Sequence, residues 1–88
     1  MIRRRVIVTG RVQGVFYRDT CRRMAGEYGV NGWVRNNADG AVEAVFEGER
    51  DAVDAMCQWC ASGPAYADVQ HVEIAEEPVE HETRFEIR

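Results

Sequence analysis

An α+β sandwich, with two helices laid on one face of a mainly antiparallel five-stranded sheet, is the fold class this chain predicts. Three observations lead there. Five short stretches are β-branched or alternate apolar with polar residues, the pattern of strands. Two longer stretches repeat apolar residues every three to four positions, the period of helices. The order along the chain is strand, helix, strand, strand, helix, strand, strand.

The elements follow in turn. Val6 to Thr9 is a β-branched run that Gly10 is expected to halt. From Tyr17, the apolar positions Tyr17, Cys21, Met24, Ala25 and Tyr28 fall on one helical face, and Gly29 stands where a helix ends in a left-handed residue. Val30 to Arg35 reads as the second strand, and Asn37 to Gly40 supplies turn residues. Val42, Ala44 and Phe46 alternate with Glu43 and Glu47, the mark of a half-buried strand. The second helix opens with Glu49 and Asp51, which favour its positive end. Its apolar stripe is Val53, Met56, Cys57 and Cys60, and Ser62-Gly-Pro64 stops it. Val69 to Ile74 and Thr83 to Ile87 read as the last strands, joined by an acidic link, Glu76 to Glu82, expected to be a solvated loop. Right-handed crossovers place both helices on one face of the sheet, which is the split βαβ or ferredoxin-like plan.

Size and composition fit one domain spanning residues 1–88. A chain of this length hides roughly two-thirds of the surface it exposes when unfolded, enough for a thin core. No apolar run approaches the ~18 residues that span a bilayer, and no apolar segment follows the N-terminal arginines, so an untargeted cytoplasmic protein is expected, with no membrane partner. Three cysteines cannot all pair within the chain, which argues against a secreted disulfide scaffold. Charge is unevenly placed: residues 1–35 hold eight arginines and two acids, residues 36–88 three arginines and thirteen acids, for a net −4. A basic third in an acidic whole suits a small anion met locally better than a long polyanion.

The segment Gly10-Arg-Val-Gln-Gly-Val-Phe-Tyr-Arg18 joins the first strand to the first helix. Glycines at 10 and 14 free the backbone to aim successive N–H groups into one hollow, beside the positive end of a helix, which is how phosphate and sulfate are held. Arg18 would add a planar fork of donors. The segment is neither a Walker A loop nor GxGxxG. Read from its residues alone, the cradle is the favoured reading, with a simple tight strand-to-helix turn as the alternative.

That segment resembles the signature of the acylphosphatases, a VQGV core followed closely by an arginine. Gly32-Trp-Val-Arg-Asn36, with Gly40, Val42 and Gly48 behind it, is similar to the second signature of the same family. The resemblance covers essentially the whole chain. It implies the ferredoxin-like sandwich, in agreement with the element order. It also implies that Arg18 binds phosphate together with the main-chain amides of Val12, Gln13, Gly14, Val15 and Phe16, and that Asn36 orients the attacking water. The implied chemistry is hydrolysis of the carboxyl–phosphate anhydride of small acyl phosphates to a carboxylate and inorganic phosphate, with no metal or other cofactor. Apart from the resemblance, a monomer is expected, though the sequence itself does not give the oligomeric state.

Two other readings compete. The same fold could be an anion-binding module without catalysis, separable by phosphate binding that is not accompanied by hydrolysis. A nucleic-acid binder is not expected, because the clustered aromatics of RNA-binding sheets are missing and the stretch Val42 to Glu47 is acidic. The remaining candidates read as structural. Cys57 and Cys60 share the apolar stripe of a helix and read as buried small hydrophobes. His71 and His81 lack zinc-finger spacing. Trp33 and Trp59 read as packing residues. Arg3, Arg4 and Arg5 read as a solvated flank of the first strand.

Overall fold

The computed structural model describes residues 1–88. The elements, in order, are β1 (Ile2–Arg11), α1 (Tyr17–Tyr28), β2 (Asn31–Asn36), β3 (Val42–Gly48), α2 (Arg50–Ser62), β4 (Asp68–Glu77) and β5 (Phe85–Ile87). The strand order is β4-β1-β3-β2-β5. β3 lies antiparallel between β1 and β2, running from Ile2↔Gly48 to Val8↔Val42 on one side and from Asn31↔Glu47 to Asn36↔Val42 on the other. β4 is antiparallel to β1, and β5 is parallel to β2. This is the ferredoxin-like arrangement expected from the element order, with one extra edge strand. No helix is long and apolar enough to cross a membrane.

One face of the sheet is dry. Val6 and Val8 of β1, Val34 of β2, and Val42, Ala44 and Phe46 of β3 meet Tyr17, Cys21 and Ala25 of α1 and the Val53, Met56, Cys57 and Cys60 stripe of α2 in a single cluster. All three cysteines are buried and unpaired, as the helical stripe predicted for Cys57 and Cys60. Each fully buried aliphatic or Met side chain here contributes about 1.5–3 kcal/mol by leaving water.

The opposite face overturns three expectations, for one reason. Arg3 and Arg5 are not a solvated flank, Glu43 and Glu47 are not exposed, and the Glu76 to Glu82 link, though largely exposed as expected, is tied down rather than free, because these groups neutralise one another across the sheet. Arg4, on the helical side, pairs instead with Asp54 of α2 and with Glu76. Arg3 is only 3% exposed and Glu47 only 2%. The Arg3 guanidinium donates to Glu47 (2.9 Å), Glu82 (3.0 Å) and Glu77 (3.1 Å). Glu47 also accepts the main-chain N–H groups of Glu80 (2.6 Å) and Glu82 (2.8 Å), which straps the acidic link over the sheet. Glu43 is held by Arg5, by Arg35 at 2.9 Å and by Asn37 at 3.1 Å. β1 accordingly begins at Ile2 and β4 runs on to Glu77, both beyond their expected limits. Trp33 is buried as expected, but on this face. It lies under the guanidinium groups of Arg5, Arg35 and Arg88, each 5.0–5.4 Å from its ring.

Burial acts to raise the Glu47 pKa, but the Glu80 and Glu82 amides and the Arg3 guanidinium outweigh it and hold the carboxyl below its ordinary value. Arginine contacts lower Glu77 in the same sense, chiefly through Arg5. Such groups bind protons more tightly unfolded than folded, so the stability they contribute is present above the ordinary carboxylate pKa of about 4.3 and is lost as pH falls through the folded values. The melting temperature should therefore stay level from neutral pH to about pH 5 and drop below it. Glu47→Ala, which removes one of the carboxylate partners of Arg3 and leaves two amides without an acceptor, should cost about 2–4 kcal/mol at pH 7. It should also flatten the acid limb of the curve in calorimetry, and an unchanged acid limb would show that this network does not govern acid stability.

Candidate active site

β1 leads directly into the loop that the sequence marks as a cradle. Gly10 is not part of it. The strand continues through Gly10 to Arg11, and Gly10 sits at a bulge against β4, where a Cβ would come within 2.3 Å of the Asp68 carbonyl oxygen. Its conformation (φ +119°) serves strand pairing, which corrects its expected part in the hollow. The turn itself depends on Gly14 (φ 75°) and Phe16 (φ 66°), two left-handed residues flanking Val15. Left-handed residues spaced this closely are the geometry of anion-binding nests. For Phe16 the conformation costs about 1–2 kcal/mol. None of the main-chain N–H groups of Gln13, Gly14, Val15 and Phe16 donates a hydrogen bond within the protein.

The first turn of α1 adds to this row. No side chain caps its N-terminus, so its positive end faces the loop unneutralised except by Asp19. The helix start is anchored by Tyr17, whose hydroxyl donates to the Cys60 carbonyl at 2.9 Å and whose ring lies 5.0 Å from that of Trp59. In a continuing helix that carbonyl would accept from residue 64, but Pro64 has no N–H to give. Tyr17 therefore fills a vacant bond and ties α1 to the end of α2.

Arg18 follows Tyr17 and is half-buried, yet it makes no ion pair. Of eleven arginines, seven (3, 4, 5, 35, 50, 84 and 88) pair with carboxylates. The other four are Arg11, Arg18, Arg22 and Arg23, and all but Arg18 are exposed. Asn36 ends β2, and its Oδ1 is buried with no hydrogen-bond partner. An unsatisfied buried acceptor costs about 1–3 kcal/mol, so its retention points to a donor supplied from outside the chain.

These groups share one cavity of about 430 Å³ lined by Val12, Gly14, Phe16, Tyr17, Arg18, Asp19, Asn36 and Ile87. Five of the seven expected site residues, Val12, Gly14, Phe16, Arg18 and Asn36, thus meet there. Val15 turns its side chain into the core instead. Gln13 does something its sequence position did not reveal. Its Nε2 donates to the carbonyls of Asn37 (2.8 Å) and Ala41 (2.9 Å), clamping the loop to the β2–β3 turn just beyond Asn36. Sequence reasoning missed Tyr17, Asp19 and Ile87 as lining residues. Asp19 was visible beside Arg18, whereas Ile87 arrives only because β5 pairs with β2.

Fold and site together define a ferredoxin-like domain with a cavity at one end of its sheet, where an unpaired arginine and an unpartnered amide oxygen meet. The sequence pattern of the acylphosphatase family matches residues 4–87. An acylphosphatase of Rubrobacter xylanophilus is 58% identical over 96% of this chain and 77% of that protein. Among solved structures, an acylphosphatase from Coxiella burnetii superposes with a TM-score of 0.95 at 40% identity, covering 99% of this chain and 92% of its own. One from Bacillus subtilis gives 0.96 at 34% identity, covering 100% and 99%. The chain belongs to the acylphosphatase family.

Gln13→Ala should release the clamp while leaving Arg18 and Asn36 in place. Two hydrogen bonds at about 1 kcal/mol each set the scale, so a loss of about 1–2 kcal/mol in urea unfolding is expected. Looser packing of loop against turn should weaken phosphate binding several-fold in calorimetry, and unchanged binding would mean that the loop holds its shape without Gln13.

Proposed function

We propose that the chain hydrolyses small acyl phosphates at this cavity, releasing a carboxylate and inorganic phosphate. The observation that carries the proposal is the meeting of three unsatisfied elements in one place: a row of free N–H groups, an unpaired Arg18 guanidinium and the orphaned Asn36 Oδ1.

Each has a task in the reaction. The N–H row and Arg18 hold the phosphoryl oxygens and stabilise the charge on them as the bond to the acyl oxygen lengthens. Asn36 Oδ1 accepts a hydrogen from the attacking water and holds its oxygen toward phosphorus, opposite the leaving group. The water oxygen bonds to phosphorus, the phosphorus–acyl oxygen bond breaks with its electron pair leaving on the carboxylate, and the water proton passes to solvent. The leaving carboxylate has a conjugate acid of pKa about 4, so it departs without a proton donor. A loose phosphoryl-transfer transition state asks little of a general base. Positioning and charge stabilisation are what remain, and these residues suffice for both without a metal. Alkyl phosphate esters, whose alkoxides leave poorly, should be poor substrates. The reading also takes residues 1–88 as one catalytic unit acting as a monomer. Three free thiols fit the reducing environment of a cytoplasm.

The test is phosphate release from benzoyl phosphate. Arg18→Gln and Asn36→Ala should each lower kcat/KM by at least ~100-fold, the scale of losing one preorganised donor or positioning group. Circular dichroism should stay native, and for Asn36→Ala the removal of an unsatisfied acceptor should leave stability equal or higher. An Asn36→Ala protein with full activity would refute the water-holding role, and phosphate binding without turnover in the wild type would leave only a binding module.

A further inference from the structure

We infer that the acyl group of the substrate lies in the groove between Phe16 and Tyr66, so that acyl phosphates with aromatic or extended apolar acyl groups are preferred over acetyl phosphate. This rests on the proposed hydrolysis and names the substrate class that the site selects.

A second hollow of about 410 Å³ adjoins the first, and Phe16 is the one residue lining both. Apart from Thr20 and Arg23 its lining is apolar, including Met24, Trp59, Pro64 and Tyr66. Phe16 and Tyr66 are 68% and 69% exposed, and their rings stand 6.5 Å apart at 57°. Two large aromatics left in water at the lip of a polar cavity contribute little to the fold, and an exposed apolar patch beside a binding site marks a ligand surface. Both are held in place. Phe16 is fixed by its left-handed backbone at the start of α1, and Tyr66 sits in a turn closed by the Ala67 N–H to the Pro64 carbonyl at 3.0 Å.

The reaction geometry selects the occupant. In-line attack puts the leaving oxygen on the side of phosphorus away from the water. Asn36 lines only the first hollow, and Phe16 forms the boundary with the second. A phosphoryl group seated on the N–H row, with water held at Asn36, therefore sends its acyl chain past Phe16 toward Tyr66. A flat acyl group such as benzoyl meets two tilted rings there, whereas acetyl reaches neither.

The experiment compares benzoyl and acetyl phosphate in the wild type, Tyr66→Ala and Tyr66→Phe. Tyr66→Ala should lower kcat/KM for benzoyl phosphate roughly 3- to 10-fold, mainly through KM, and leave acetyl phosphate within about 2-fold. Tyr66→Phe should restore the wild-type ratio. Phenylphosphonate should inhibit the wild type more tightly than methylphosphonate, with the gap closing in Tyr66→Ala. A benzoyl-to-acetyl ratio unchanged by Tyr66→Ala would overturn the inference while leaving the proposed hydrolysis standing. The same holds for a change in sedimentation on that substitution with equal loss on both substrates, which would make the aromatic pair an interface between copies. Failure of the wild type to hydrolyse either compound would overturn the hydrolysis itself.

Discussion

The site exists because β3 lies antiparallel between β1 and β2. Two strands that are each antiparallel to a third are parallel to one another, so β1 and β2 must end at the same edge of the sheet. The loop leaving β1 and the asparagine ending β2 are thereby delivered to one place, although Arg18 and Asn36 are 18 residues apart in the chain. β5, parallel to β2, brings Ile87 to the same edge. Ligand sites at the carboxyl ends of parallel strands follow from the same geometry in open α/β sheets. Gln13 converts this approximate meeting into a fixed one by bonding the cradle to the turn that follows Asn36.

Four departures from ordinary folding rules meet at that edge. A phenylalanine adopts a left-handed backbone, a helix starts without a side-chain cap, an arginine lacks a carboxylate and an amide oxygen lacks a donor. Each costs on the order of 1 kcal/mol. His81 is also left-handed and α2 also starts uncapped, but only here do such features share a cavity with a buried acceptor that has no partner. The remainder of the fold holds them there: Tyr17 pins the helix start to the Cys60 carbonyl, and the apolar cluster fixes the sheet beneath. Unsatisfied groups concentrated in one cavity are what the proposed anion site would put to use.

The open face of the sheet supports the same end by different means. There is no second helical layer, and the strands are covered instead by arginine–carboxylate pairs, by guanidinium groups over Trp33 and by the strapped acidic link. The Arg3–Glu47 pair gains little over an apolar pair of equal size, but each partner is costly without the other, which favours the register that brings them together. Abundant arginine is thus spent largely on structure, and Arg18 is distinguished as the one unpaired arginine that is half-buried rather than exposed.

Much of this was legible in the residues. Local periodicity located all seven elements, because burying one face of a helix or strand imprints a period on the chain. Element order then narrowed the topology through crossover handedness. The motif around Gly14 and Arg18, and the asparagine closing Gly32 to Asn36, marked the candidate site through residue chemistry. What the chain alone did not disclose depends on pairing across long sequence separation. The burial of Arg3 beneath Glu47 and Glu82, the clamp formed by Gln13, the assignment of Gly10 to a bulge and the entry of Ile87 into the cavity all turn on which strand neighbours which. A charged or amide side chain carries no periodic signal of its partner, so only the assembled sheet decided whether it met solvent, a counter-charge or the site.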